Sequence, residues 1–184
     1  MTCFLLLLFP AGIEPKRLQL ELANDGSAAG AVPSPEEVVI RALYEAIRSR
    51  DVATLQQLLA PDLEWWFHGP PERQHLKRLL TGEEEPPGVA FEFEPQEVAA
   101  FGATVVAEGC CVPGAAVWVH AWTIGPDGVI TQVREYFNTS LTVTRLGGDS
   151  AIAPAGAAIH CVPVWQSRLH QRARKSLPGL VLAI

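Results

Sequence analysis

The feature that most constrains the fold is a β-hairpin signal over residues 115–145. Residues 117–124 read Val-Trp-Val-His-Ala-Trp-Thr-Ile, and a Gly-Pro-Asp-Gly turn at 125–128 separates them from a second strand-like run. Because successive side chains of a strand point to opposite faces, Trp118, His120 and Trp122 share one face of the first strand. A two-stranded hairpin cannot bury such large rings by itself. The rest of the chain must therefore supply more strands and a covering layer.

Helices that could form this layer are predicted before the hairpin. Residues 34–37, Ser-Pro-Glu-Glu, combine an N-cap serine, a proline at the first helical position and acids in the first turn, so a helix begins there. A second, shorter helix follows Asp51, and a third spans residues 72–80 with Gly82 after its end. Aromatic residues at 63–68 indicate a strand between the second helix and the third.

After residue 89 the pattern changes to short apolar and β-branched runs. These runs predict strands at 91–94, 97–101, 104–108, 115–124 and 129–144. Strands and helices do not alternate regularly, as they would in a parallel α/β sheet. The sequence therefore predicts an α+β fold in which a bent antiparallel sheet packs on three N-terminal helices and leaves a pocket between them.

The two ends of the chain have a different composition. Residues 1–33 are predicted to be a disordered extension and linker: their apolar run has no basic n-region and stops at Pro10, so a secretory signal is the less favoured alternative. The domain is expected over 34–146. A Gly/Ala-rich flexible loop at 147–160 and a tail at 161–184 that docks on the domain are expected to follow.

Composition excludes several classes of function. The net charge of −6 gives no electrostatic basis for nucleic-acid binding, and no apolar run is long enough to span a membrane. The four cysteines show no Cys-x-x-Cys spacing, which favours a reducing compartment. We therefore predict a cytoplasmic protein, with the nucleus as an additional location, that holds no metal and no cofactor.

Several separate strings resemble one family. Trp118-Val-His-Ala-Trp-Thr123, Val133-Arg-Glu-Tyr-Phe-Asn-Thr-Ser-Leu-Thr142 and Leu177-Pro-Gly-Leu-Val-Leu-Ala-Ile184 resemble the plant wound-induced protein family, in the SnoaL-like branch of the nuclear-transport-factor-like superfamily. The resemblance implies a cone-shaped α+β barrel, a response to wounding, senescence or other stress, and a homodimer formed through the sheet.

The wider superfamily includes both enzymes and binding modules, so the resemblance leaves the function open. In its limonene-epoxide hydrolase, an Arg-x-Asp pair on a middle strand acts with an acid on the last strand. Glu135 matches that last acid, whereas the middle strand here reads Val105-Val-Ala-Glu-Gly-Cys110 and lacks the Arg-x-Asp pair.

The register of the hairpin decides which residues would form a site. A four-residue loop that pairs Ile124 with Val129 places Glu135 on the face of His120. A type I turn with a G1 bulge at Gly128 pairs Gly125 with Val129 and places Tyr136 there instead. Pro-Asp-Gly favours the second arrangement, but a shift of the pairing by one residue would exchange the faces on which Glu135 and Tyr136 lie.

Two functions are compatible with this pattern. The main prediction is a non-catalytic module that binds a small apolar ligand or a protein partner. The alternative is a cofactor-free hydrolase, isomerase or cyclase that uses Glu135 and His120, with Tyr136 as an auxiliary donor. The residues expected to line the pocket are Trp66, His68, Trp118, Trp122, Val133, Phe137 and Asn138.

Overall fold

The computed structural model describes residues 2–4, 32–83, 91–111, 116–146, 161–169 and 177–184. The fold class is α+β, as predicted: three helices pack on one face of a six-stranded sheet, and a separate three-stranded sheet packs on the other face. None of the described helices is long and apolar enough to cross a membrane.

The first two helices begin at the residues that the sequence indicates, whereas the third begins three residues later than predicted. Helix α1 (Pro35–Ser49) starts after Ser34, whose Oγ accepts a hydrogen bond from the Glu37 amide at 3.2 Å. Helix α2 (Val52–Leu58) is capped by Asp51. Helix α3 (His75–Thr81) follows a 3-10 turn (Pro71–Arg73) and ends at Gly82, whose φ of 70° is the left-handed conformation expected at this position.

The large sheet is mixed, whereas the sequence predicts an antiparallel one. Its strands are β1 (Thr2–Phe4), β2 (Leu59–His68), β3 (Glu97–Phe101), β4 (Thr104–Cys111), β5 (Ala116–Ile124) and β6 (Ile130–Phe137), in the spatial order β1-β2-β6-β5-β4-β3. Strands β2 and β6 are parallel, and the other pairs are antiparallel. The parallel pair is possible because the long connection between them includes α3 and three strands, which return the chain to the same end of the sheet.

Three predicted segments differ in the structure. Residues 2–4 form β1 on the edge of β2, where a disordered extension was expected; the remainder of 1–31 lies outside the described residues. Residues 91–94 form no strand, because no neighbouring strand pairs with them, although Phe93 is buried. The predicted strand at 129–144 divides at Asn138, whose φ of 52° turns the chain out of the large sheet.

The small sheet consists of β7 (Ser140–Leu146), β8 (Cys161–Gln166) and β9 (Gly179–Ala183), in the order β8-β7-β9. Both described parts of the tail therefore pair with β7, β8 antiparallel and β9 parallel. The predicted loop at 147–160 lies outside the described residues.

The two faces of the large sheet belong to two separate apolar cores. The first lies under the helices and includes Leu43, Trp65, Trp118 and Trp122. The second lies between the sheets and consists of Val106, Val119, Ala121, Tyr136, Leu141, Val143 and Leu182. We call the face under the helices the inner face and the face toward the small sheet the outer face.

Candidate functional site

The hairpin register brings His120 and Glu135 together. The Gly125 amide donates to the Val129 carbonyl at 2.8 Å, and Gly128 has a φ of 82°, so the turn is the bulged one that Pro-Asp-Gly favours. Next, Ile124 pairs with Ile130 but Thr123 pairs with Gln132, which leaves Thr131 as an extra residue. This second bulge shifts the register by one more residue. It places Glu135 directly opposite His120 and corrects our expectation that the bulged turn would place Tyr136 there.

Hydrogen bonds connect Trp122, Tyr44 and His120. The Trp122 Nε1–H donates to the Tyr44 hydroxyl oxygen at 3.1 Å, and that hydroxyl lies 2.8 Å from His120 Nδ1. The imidazole tautomer decides which of Tyr44 and His120 donates in the second bond, because a hydroxyl can both donate and accept. His120 Nε2 faces Glu135.

Glu135 is held from the other side of the site. Its Oε2 accepts a hydrogen bond from Trp65 Nε1 at 3.2 Å, and its Oε1 lies 3.6 Å from His120 Nε2. Among the described residues, neither His120 Nε2 nor Glu135 Oε1 has a hydrogen-bond partner, and the distance between the two atoms is slightly too long for a direct bond. This gap is costly, because an incompletely bonded buried polar group costs about 1–3 kcal/mol.

Aromatic rings enclose the pair. The ring centres of Trp118, Phe93 and Trp122 lie 4.7, 4.9 and 5.6 Å from that of His120. The side chains of His120 and Glu135 are 0% exposed. Burial, with a further contribution from the negative charge of Glu135, raises the pKa of Tyr44 well above its usual value, although the bond from Trp122 opposes the rise. The Tyr44 hydroxyl is therefore neutral at physiological pH and cannot act as a general base.

The predicted site residues divide between the two faces of the sheet. Trp118, Trp122, Val133 and Phe137 lie with the pair on the inner face. Trp66, His68 and Tyr136 lie on the outer face, because β2 pairs with β6 so that Trp66 is opposite Arg134 and His68 is opposite Tyr136. Tyr136 therefore cannot donate to the pair, and Trp66 and His68 do not line the interior.

Asn138 lies at the end of β6, where it bonds to the backbone of β5. Its side-chain Oδ1 accepts a hydrogen bond from the Val117 amide at 3.1 Å, and its own amide donates to the Val117 carbonyl at 2.7 Å. Asparagine tolerates the left-handed conformation found here better than most residues do. These contacts end the strand pair, and they do not direct the side chain toward His120 or Glu135.

Sequence reasoning missed Tyr44, Trp65 and Phe93. Tyr44 follows Leu43 within helix α1 and is buried with the apolar stripe of that helix, where it is the residue with a polar tip. The hydroxyl of Tyr44 is the feature that could have indicated its role, since a buried tyrosine hydroxyl usually finds a hydrogen-bond partner. Among the described residues, no three His, Cys, Asp or Glu side chains lie close enough together to hold a metal ion.

Comparison with known proteins matches the chain to one protein family and to plant proteins with related names. The model of the family described as "Wound-induced protein WI12" matches residues 77–184, which is more than half of the chain. An Arabidopsis thaliana protein named "Senescence associated gene 20" is 51% identical over 113 residues, covering 58% of this chain and 99% of the relative. "Wound-induced protein 1" of Solanum tuberosum is 49% identical over 107 residues, again covering 58% of this chain and 99% of the relative.

Solved structures also align with the chain. An NTF2-like protein of unknown function from Burkholderia pseudomallei aligns over 57% of this chain and 92% of its own length, with 23% identity and a TM-score of 0.44. IdmH, a putative polyketide cyclase from Streptomyces antibioticus, aligns over 57% of this chain and 93% of its own, with 16% identity and a TM-score of 0.41. These similarities carry no inference about activity.

Proposed function

Because this chain belongs to the wound-induced WI12 family, we propose that it is a stress-associated plant protein that acts as a non-catalytic binding module. In this proposal the domain binds a small apolar ligand or a protein partner through its surface, and the His120–Glu135 pair stabilises the interior. The resemblance of the hairpin strings to this family is confirmed by the family match.

One observation carries the proposal: the two groups suited to acid–base chemistry are sealed. A general acid or base must come within hydrogen-bond reach of its substrate. His120 and Glu135 have no exposed side-chain surface, and rings from α1, β5 and the segment before β3 pack against His120. Their contacts with Tyr44 and Trp65 connect α1, β2, β5 and β6, which is the role of a structural polar network.

The alternative function is a cofactor-free hydrolase, isomerase or cyclase. It is favoured by the 3.6 Å gap, because His120 Nε2 and Glu135 Oε1 could each bind a reacting group placed between them. A substrate would reach them only if the surrounding rings moved apart. The acid on the middle strand β4 is Glu108, which is bonded to Ser167 and Arg168 and does not approach the pair.

Assays of purified protein distinguish the two functions. We expect thermal shifts with apolar compounds but no turnover of epoxides or polyketide-like substrates, either by the wild type or by Glu135→Gln. Glu64→Gln is a matched control, because Glu64 is a half-buried acid on the adjacent β2 that bonds Trp66 and Gln132 instead of His120. Turnover that is lost in Glu135→Gln, kept in Glu64→Gln and accompanied by an unchanged circular dichroism spectrum would overturn the proposal.

A homodimer formed through the sheet is part of this proposal. The small sheet covers the outer face over β4, β5 and part of β6, so the remaining strip of the large sheet is at β2 and β6, where the half-buried Trp66 and the exposed His68 lie. His68 stacks on Tyr136 with ring centres 4.8 Å apart, which gives this strip an aromatic surface. Sedimentation velocity at several protein concentrations measures whether the chain dimerises.

We also propose that the protein works in the cytoplasm. The supporting observation is that Cys110 is a free thiol whose sulfur accepts a hydrogen bond from Gln96 Nε2 at 3.0 Å. Fluorescence microscopy of a tagged full-length chain tests the location, and a signal confined to the secretory pathway would contradict it.

A further inference from the structure

A groove lies on the outer face where the end of β9 meets the large sheet. Its volume is about 100 Å³. The floor is a block of neighbouring residues on β4, β5 and β6, namely Thr104, Ala121, Thr123, Gln132 and Arg134. The wall is the final segment of the chain from Leu182 onward. The groove is therefore separate from the buried His120–Glu135 pair, which lies on the opposite face.

Arg134 is the one lysine or arginine among the residues that line the groove. In the described part of the chain, no Asp or Glu carboxylate forms an ion pair with its guanidinium. On the neighbouring strand β2, the acid on the same face as Arg134 is Glu64, which pairs with Gln132. Each of its oxygens accepts a hydrogen bond from another residue: Oε1 from Trp66 Nε1 at 2.8 Å, and Oε2 from Gln132 Nε2 at 2.6 Å. The half-buried Arg134 is thus a cation without a bound carboxylate.

Donors remain available around this cation. Arg134 lies near the Tyr136 hydroxyl, whose pKa its charge lowers, and most of its five N–H donors remain for other partners. The Thr104 hydroxyl forms no hydrogen bond with the described residues, and the Thr123 hydroxyl makes only a long contact of 3.4 Å with Gln132. These groups point to an acceptor-rich ligand, whereas Ala121 and Leu182 supply apolar surface beside it.

The charge of Arg134 acts on the aromatic groups next to the groove. Desolvation lowers the pKa of His68, and the positive charge of Arg134 lowers it further. Burial raises the pKa of Tyr136, and the same positive charge opposes that rise. The guanidinium therefore lies close enough to both rings for its charge to act on them.

We propose that this groove binds the carboxylate of a small organic acid, with Arg134 as the anion partner, Thr104 and Thr123 as hydroxyl donors, and Ala121 and Leu182 in contact with a short apolar group. Arginine binds a carboxylate through two parallel hydrogen bonds. A single cation on a chain with a net charge of −6 favours a monoanion over a multiply charged phosphate. The inference rests on the proposed binding role and names a ligand class for it.

Titrations of ¹⁵N-labelled full-length protein, followed by amide chemical shifts, test the assignment. Benzoate and butyrate are the ligands, benzyl alcohol and butanol are their neutral counterparts, and inorganic phosphate is the competing anion. We expect saturable shifts at Ala121, Gln132 and Ile184 with the two carboxylates. We expect binding of the alcohols and of phosphate to be at least ten-fold weaker.

Substitutions test whether Arg134 is the residue that binds the carboxylate. Arg134→Met should weaken carboxylate binding at least ten-fold, and Arg134→Lys should weaken it less because the charge remains while the paired donor geometry is lost. Thr104→Val is nearly the same shape and should weaken binding several-fold. Arg41→Met removes the same charge from the exposed side of α1 and should change nothing.

Several results would overturn the inference: no saturable shifts, equal binding of acid and alcohol, phosphate bound as tightly as benzoate, or unchanged binding in folded Arg134→Met. Failure here is distinguishable from failure of the proposed function. Absence of carboxylate binding leaves the non-catalytic role intact, whereas turnover that depends on Glu135 contradicts that role whether or not the groove binds an acid.

Discussion

At the residue scale, Tyr44 is the side chain that connects α1 to the polar site. One hydroxyl accepts the Trp122 N–H and shares a second hydrogen bond with His120 Nδ1. Both partners come from β5, which presents three rings to the helix. The polar contact is directional, and the surrounding apolar packing is not. Tyr44 therefore specifies how α1 lies on the sheet.

Tyr44→Phe should lower the free energy of unfolding by about 2 kcal/mol or more, because it leaves a buried indole N–H and an imidazole nitrogen without a partner. Urea unfolding followed by circular dichroism measures the change. Tyr136→Phe is the control, since its hydroxyl partner Arg134 is half-exposed and can bond to water. We expect the control to lose less than about 1 kcal/mol. A loss in Tyr44→Phe no greater than in the control would contradict the assigned network.

The sequence indicates His120 and Glu135 as candidates but does not determine their arrangement. One lies on the aromatic face of the first strand, and the other lies on the family-like second strand. Whether they meet depends on the bulge at Thr131, and the sequence carries no signal for a bulge at that position. For the same reason the sequence does not determine which face of the sheet Tyr136 occupies.

At the scale of elements, the predictions that rest on local chemistry are confirmed. Caps and turn residues act on their own neighbours, so Ser34 and Gly82 mark helix ends in the structure as they do in the sequence. Pairing between distant strands depends on side chains far apart in the chain, which explains why the parallel β2–β6 pair was not anticipated. The division at Asn138 depends on a single left-handed residue within a continuous β-like pattern.

Strand β4 holds the tail through one buried acid. The Glu108 carboxylate accepts hydrogen bonds from the Ser167 hydroxyl at 2.6 Å and from the Arg168 amide at 3.2 Å. Burial raises the pKa of Glu108, and the charge of Glu97 adds to the rise, although the bonds from the tail oppose it. The folded protein therefore holds the Glu108 proton more tightly than the unfolded chain does.

This raised pKa predicts how stability depends on pH. The contribution of Glu108 is present below the pKa of the unfolded chain and is lost as pH rises through the higher folded pKa. The unfolding free energy of the wild type relative to Glu108→Gln should therefore fall as pH rises above about 4, the usual pKa of a glutamate. Urea unfolding over a series of pH values measures it, and the exposed Glu72→Gln is the control. A difference that grows with pH would show that the sign is wrong.

At the scale of the whole molecule, the small sheet gives the outer face a core of its own. Leu141 and Val143 on β7 and Leu182 on β9 pack against Val106 and Val119 of the large sheet. Without this layer, those apolar side chains would face water, which soluble proteins avoid over areas of this kind. The tail is thus an integral layer of the described fold.

Two adjacent residues of β9 test this layer. Leu182 is 5% exposed and faces the second core, whereas Val181 is 69% exposed on the other side of the same strand. Leu182→Ala should cost about 3 kcal/mol of unfolding free energy, because it removes buried methyl groups and leaves a cavity. Val181→Ala should change it by no more than about 0.5 kcal/mol. Thermal or urea unfolding measures both, and equal effects would show that β9 does not support the core.

The bulge at Thr131 has an evolutionary consequence. If the bulge closed with Thr131 kept, so that Thr123 paired with Thr131, β6 would turn over: Arg134 and Tyr136 would enter the aromatic interior and Glu135 would leave it. The two sides of β6 thus hold two alternative sets of interior groups, one acidic and one basic and phenolic. Whether Thr131 bulges or pairs decides between them, without any substitution. Among descendants of such a hairpin, a change in length between Gly128 and Gln132 that no bulge absorbed would then alter the chemistry of the interior more abruptly than changes of residue type.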